Sequence, residues 1–179
     1  SHCLACGAPI RAYDNIPLSG VGRLNAFSPE FQSLVTDKGA MILHMLRWIL
    51  GDKAFDQVLR SFATQYVEKP ATVDDFRKLA EYPYGQSLQP FFSQWLDSTG
   101  APEFHNKYTV FRIAKGFRVV GEISQDLDLF RMPVELQVQT DGDPEYARVD
   151  VSGEASDFDI LVQRKPKAVV IDPREKLLR

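Results

Sequence analysis

The chain has 179 residues, 44% hydrophobic and 25% charged, and its 21 basic and 24 acidic side chains leave a formal charge of −3. That length permits one large domain or two small ones with a substantial core, and the charge gives no reason to expect nucleic acid. The apolar run from Met41 to Met45 is broken by His44, far short of the roughly 20 residues a membrane-spanning helix needs.

Residues 1–27 are rich in Gly and Pro, lack a sustained period, and read as an irregular connecting segment. The start, Ser1-His2-Cys3-Leu4-Ala5-Cys6, shows no basic region before an apolar one and so no targeting signal. It also lacks an initiator Met, which leaves room for an upstream export signal and leaves the compartment open. Cys3 and Cys6 are the only two cysteines. A lone Cys-x-x-Cys pair offers half a zinc site or a redox couple, and without a second pair the frayed-terminus reading is preferred.

A helix signal begins at Ser28-Pro29-Glu30, which supplies a capping hydroxyl, a first-turn Pro and an acid suited to the dipole. Phe31, Leu34, Val35, Lys38, Met41, Ile42, Met45, Leu46 and Ile49 follow at helical intervals, so one long helix is expected with Lys38 as the polar interruption of its buried face. Gly51 ends it. A second helix from Asp52 carries Phe55, Val58, Leu59, Phe62 and Tyr66 on one face, and Pro70 closes it. Thr72-Val73-Asp74-Asp75 resembles a capping box and opens a short third helix that Pro83 and Gly85 break. Ser87 is read as the cap of a fourth, whose stripe of Leu88, Phe91, Phe92, Trp95 and Leu96 reads as core.

Beyond Pro102 the period changes from helical to two. Residues 108–113 and 117–121 flank Ala114-Lys115-Gly116, a hairpin turn. Val134, Leu136 and Val138 alternate with Glu135, Gln137 and Gln139, which predicts a strand with one wet face. Residues 147–151, 158–162 and 168–171 read as further strands. Short strands without intervening helices favour an antiparallel arrangement. The expected fold is α+β: about four helices over residues 28–104, then a small antiparallel β-sandwich over residues 105–179.

Thr36-Asp37-Lys38-Gly39-Ala40, followed by an amphipathic helix ending in Leu50-Gly51, resembles a segment of the gluzincin zinc aminopeptidases, the membrane alanyl aminopeptidase family. The likeness continues through Leu59-Arg60-Ser61-Phe62 and Ala71-Thr72-Val73-Asp74-Asp75-Phe76 to Leu88-Gln89-Pro90-Phe91-Phe92-Ser93-Gln94-Trp95-Leu96 and Thr99-Gly100-Ala101-Pro102. Val120-Gly121-Glu122-Ile123-Ser124-Gln125 and Val170-Ile171-Asp172-Pro173 look like parts of the sandwich that follows the catalytic domain in that family.

The resemblance implies a parent that removes N-terminal residues from peptides with zinc-activated water, and a chain that holds only the part after the His-Glu-x-x-His region. The only histidines, His2, His44 and His105, lack i, i+4 spacing, so no cofactor is expected in this chain and zinc is expected in the full-length parent. His44 reads as a packing histidine of the first helix. The family Tyr that hydrogen-bonds the developing oxyanion corresponds to Thr36, whose hydroxyl reaches less far. Thr36, Asp37 and Lys38 are therefore the substrate-cleft candidates, with an ordinary helix-face charge pair as the competing reading of the last two. Two functions stay open: an aminopeptidase fragment inactive by itself, or a noncatalytic binding or scaffold module derived from that family. Helix faces left uncovered would favour self-association.

Overall fold

The computed structural model describes residues 16–127 and 130–177, and the chain divides into two units, Ser1–Gly100 and Ala101–Arg179. In the first unit a 3-10 helix, Leu18–Arg23, precedes α1 (Pro29–Phe31), a π-helical segment (Gln32–Lys38), α2 (Gly39–Leu50), α3 (Asp52–Gln65), α4 (Val73–Tyr84) and α5 (Gln89–Leu96). Ser28 caps α1, its side chain accepting from the Phe31 N–H at 3.2 Å. The single long helix expected from periodicity is thus continuous but carries a widened π turn over the Thr-Asp-Lys segment. Gly51 ends α2 at φ 81°, a conformation that penalises residues with a Cβ.

The core of this unit is Leu34, Ile42, Met45 and Leu46 against Phe55, Val58, Ala80, Phe91 and Trp95, with Trp95 wholly buried. His44 is exposed on α2, so the packing-histidine reading is corrected: the buried stripe passes through Ile42, Met45 and Leu46.

The capping box at α4 forms as read, with the Thr72 hydroxyl accepting from the Asp75 N–H at 3.1 Å and the Asp75 carboxylate from the Thr72 N–H at 2.9 Å. Pro83 does not break this helix. It lies in the last turn before Gly85 (φ 74°), so its missing N–H forfeits a single bond, to the carbonyl four residues earlier, just before the helix ends. The N-cap of α5 is Leu88, one residue past the expected Ser87, whose hydroxyl still accepts from the Gln89 N–H at 3.2 Å, and the partner for the Leu88 N–H comes from α4. The Glu81 carboxylate accepts from the Leu88 N–H at 2.7 Å, the Ser87 hydroxyl at 3.1 Å and Arg77 at 2.7 Å.

This clamp, the Leu88 N–H above all and then Arg77 and Ser87, holds the Glu81 carboxyl below its ordinary value of 4.5. A lowered carboxylate contributes stability that is complete above the ordinary value and is lost as pH falls through the lowered one. Glu81→Gln is accordingly expected to shrink the acid-induced loss of helical signal below about pH 4.5. Acid titration followed by circular dichroism checks this; superimposable acid limbs for the two proteins would rule it out.

The second unit holds β1 (Phe104–Ile113), β2 (Gly116–Gln125), β3 (Met132–Thr140), β4 (Glu145–Val151), β5 (Ala155–Val162) and β6 (Pro166–Ile171). They form two antiparallel three-stranded sheets, ordered β1-β2-β5 and β4-β3-β6. Gly116, at φ 105°, makes the expected hairpin turn between β1 and β2. Val119, Ile123, Phe158 and Val162 from one sheet and Val134, Leu136, Val138 and Ile171 from the other are buried, which gives the small antiparallel sandwich its core. Asn106 crosses between the sheets, donating from Nδ2 to the Val169 carbonyl at 3.0 Å.

The wet face expected for β3 is not uniformly wet. Glu135 is only 5% exposed, because the chain after β6 returns over it. Lys176 pairs with Glu135 Oε1 at 2.9 Å, and Arg174 lies 3.6 Å from Oε2, an ion pair beyond hydrogen-bond length. Asp172 fixes that return, its carboxylate accepting from the Lys176 N–H at 2.7 Å and the Leu177 N–H at 3.1 Å.

Candidate functional site

The π segment determines how the three cleft candidates are presented. A π turn is wider than an α turn and shifts which side chains share a face, a feature found at functional positions more often than elsewhere. Here Ser33, Leu34, Asp37 and Lys38 turn inward, whereas Thr36 is exposed. Thr36 lies on the wall of a groove of about 680 Å³, beside Val35, Gly39 and Leu43 and across from Leu59, Phe62 and Val73. The structure therefore separates the trio: Thr36 lines the groove, and Asp37 and Lys38 are among the buried residues. Lys38 is fully buried and its ammonium donates to the Ser98 carbonyl at 3.5 Å.

The groove is dominated by apolar side chains, and Leu59, read from the sequence as a buried-face residue, is 40% exposed along it. Leu43 and Val73 belong to this surface and were not singled out by sequence reasoning. Their signal was available in one case only: Val73 directly follows a capping residue, at a first-turn position with no need to be apolar unless something covers it.

A second hollow of about 450 Å³ lies between α3 and α4, lined by Gln57, Ser61, Tyr66, Asp75 and Lys78. Partial burial and then the neighbouring Asp75 carboxylate raise the Tyr66 phenol above its usual range. The Thr72 hydroxyl and then the Thr72 N–H hold Asp75 below its own.

The described residues do not assemble a zinc centre. His44 is exposed on α2 and His105 on β1, and the described residues contain no group of three or more His, Cys, Asp or Glu side chains able to hold a metal ion. His2, Cys3 and Cys6 lie outside the described residues. No helix among the described residues is long and apolar enough to cross a membrane.

Residues 14–95 match the peptidase family M1 domain. Aminopeptidase M1-B of Oryza sativa subsp. japonica is 29% identical over 77 residues, which is 43% of this chain and 9% of that protein. Aminopeptidase M1-D of the same plant is 29% identical over 72 residues, 40% of this chain and 8% of its own length. The chain thus spans less than a tenth of the length of these curated relatives. Among solved structures, the crystal structure of Legionella pneumophila aminopeptidase A in complex with aspartic acid has a TM-score of 0.63 at 19% identity, covering 76% of this chain and 16% of that one. At that identity the likeness speaks for the fold. Through residues 14–95 this chain is related to the M1 aminopeptidases.

Proposed function

We propose that the chain is the portion of a zinc metallo-aminopeptidase that follows the metal site, that its helical unit supplies one wall of the peptide cleft, and that it is inactive by itself. The match of residues 14–95 to the M1 peptidase domain carries this reading. The exposure of Thr36 on the groove supports it, because a group that meets substrate must stand on a concave surface rather than in the core. In the parent, zinc would be held by upstream residues and would activate the attacking water. The parent reaction would be removal of N-terminal residues from peptides.

The isolated chain, incubated with zinc and desalted, is expected to retain no stoichiometric metal and to release no arylamine from aminoacyl arylamides. One tightly held zinc per chain with measurable hydrolysis would overturn the inactivity. The groove rimmed by Leu43, Leu59 and Val73 also leads us to expect self-association of the isolated chain. Light scattering on the same sample checks that, and a monodisperse monomer would count against it.

Thr36 favours a second reading, a noncatalytic binding or scaffold module, since its short hydroxyl does not reach as a Tyr would. The upstream coding sequence separates the two. An intact His-Glu-x-x-His with a distal Glu, and arylamide hydrolysis by the longer protein, support the enzyme; their absence supports the module.

A further inference from the structure

β1 forms one edge of its sheet, and among the described residues no strand pairs with its outer side. Along an antiparallel strand one residue aims its N–H and C=O at a neighbour and the next aims both away, so half of β1 offers both groups to a further strand. Asn106, which bonds the Val169 carbonyl, marks where the edge is covered, and every residue from Lys107 to Ile113 is exposed. Tyr108 and Val110 share the core-facing side with Phe104, yet each is 38% exposed, so the second sheet does not close over them. Phe111 and Ile113 stand exposed on the other side. The run holds no Pro and keeps an unbroken register with β2, and an apolar edge of that kind is open to pairing. The opposite edge differs: β5 faces β4 across a hollow of about 310 Å³.

A second copy of the chain can add its own β1 about a twofold axis, antiparallel and with like faces of the two sheets on one side. Opposed residues then share a face, so the axis passes through a residue, and the middle of the exposed run is Val110. With the axis there, Val110 meets its own copy, Thr109 meets Phe111, Tyr108 meets Arg112 and Lys107 meets Ile113. A β-branched pair, an aromatic beside a β-branched residue and a guanidinium beside a phenol ring are each favourable across strands. Neither cation of the run meets a like charge. An axis through Phe111 would set Lys107 against Lys115, and one through Thr109 would draw in Asn106, which Val169 already holds.

We infer that the outer edge of β1 is a self-association surface, on which a second copy adds its β1 antiparallel about an axis at Val110 and joins two three-stranded sheets into one. This inference does not rest on the peptidase reading and is separate from association through the groove of the helical unit.

The test uses the full chain carrying Cys3→Ser and Cys6→Ser, which remove the native thiols, and Leu59→Lys, which charges the groove. In that background Val110→Cys and Arg112→Cys are compared, both exposed and on the same face of β1. In a glutathione redox buffer Val110→Cys is expected to form an intermolecular disulfide, because the two copies of that residue lie within the ~7 Å Cα separation a disulfide can span. Copies of residue 112 stand four positions apart along the paired strands, roughly 13 Å, so Arg112→Cys is expected to cross-link roughly tenfold less on a non-reducing gel. Val110→Lys in the same background is expected to be monomeric by light scattering at sub-millimolar concentration, where the background protein is a dimer. Equal cross-linking by the two cysteine variants, or none by either, overturns the proposal. So does a monomeric background protein, or a Val110→Lys protein that stays dimeric.

Discussion

Trp95→Ala is expected to destabilise the helical unit by about 3–5 kcal/mol, the range for deleting a buried large aromatic side chain. Trp95 is wholly buried on α5, the largest side chain in that state among the described residues, with Phe91 and Phe92 buried on the same helix and Leu88 buried at its N-cap. The loss combines the transfer free energy of the indole with the cavity left behind, because close-packed helices relax only partly into it. A loss of that size is a large fraction of the whole stability of a small domain, so the variant should lose helical ellipticity well below the wild-type midpoint. Tyr82→Ala is the matched control. Tyr82 is 86% exposed, so its removal is expected to stay within about 0.5 kcal/mol. Chemical denaturation of both variants, followed at the helical band, provides the measurement. Equal midpoints for the two would contradict the assignment of Trp95 to the core.

The second large effect is expected in the sandwich, and its sign depends on which partner is changed. Lys176→Met should cost about 3 kcal/mol, because it leaves Glu135, with a side chain only 7% exposed, facing Arg174 alone across 3.6 Å. Adding Glu135→Met should recover most of that loss and bring the double variant to within about 1 kcal/mol of the wild type. The reason is that a buried ion pair gains by attraction roughly what it loses by desolvation, whereas one buried charge on its own keeps only the cost. Urea unfolding of the two single variants and the double variant gives the coupling directly. A double variant no more stable than Lys176→Met would show that Glu135 does not need its ammonium partner. The Asp172 carboxylate, which accepts the Lys176 and Leu177 N–H groups, keeps the backbone return in place through the series.

These expectations also mark where sequence reading stopped. Period alone identified the apolar faces of the helices and the alternation of the strands, because a 3.6-residue and a 2-residue repeat place side chains on one side of their element whatever surrounds it. The Thr72–Asp75 capping box and the Gly51, Gly85 and Gly116 breaks were equally legible, since their chemistry lies within a few residues of backbone. The start of α5 was legible only in part: the Ser87 hydroxyl accepts from the Gln89 N–H as expected, but the N-cap is Leu88, whose N–H is satisfied by Glu81, a partner seven residues away that no local rule could supply.

The candidate site divides the same way. The motif around Thr36 was readable as a family resemblance, and the match over residues 14–95 stands with it. Lys38 was expected on the buried face, but the π turn that sends Asp37 inward beside it and presents Thr36 outward was not readable, because hydrophobic periodicity averages over one extra residue in a turn. Sequence by itself determined the elements, their order and the family relationship, all consequences of local repeats and short motifs. Tertiary structure alone decided burial elsewhere: Asp37 inside, His44 outside, and Glu135 covered on a face expected to be wet. Burial depends on what packs against an element from elsewhere in the chain, and that information does not lie in the spacing of its own residues.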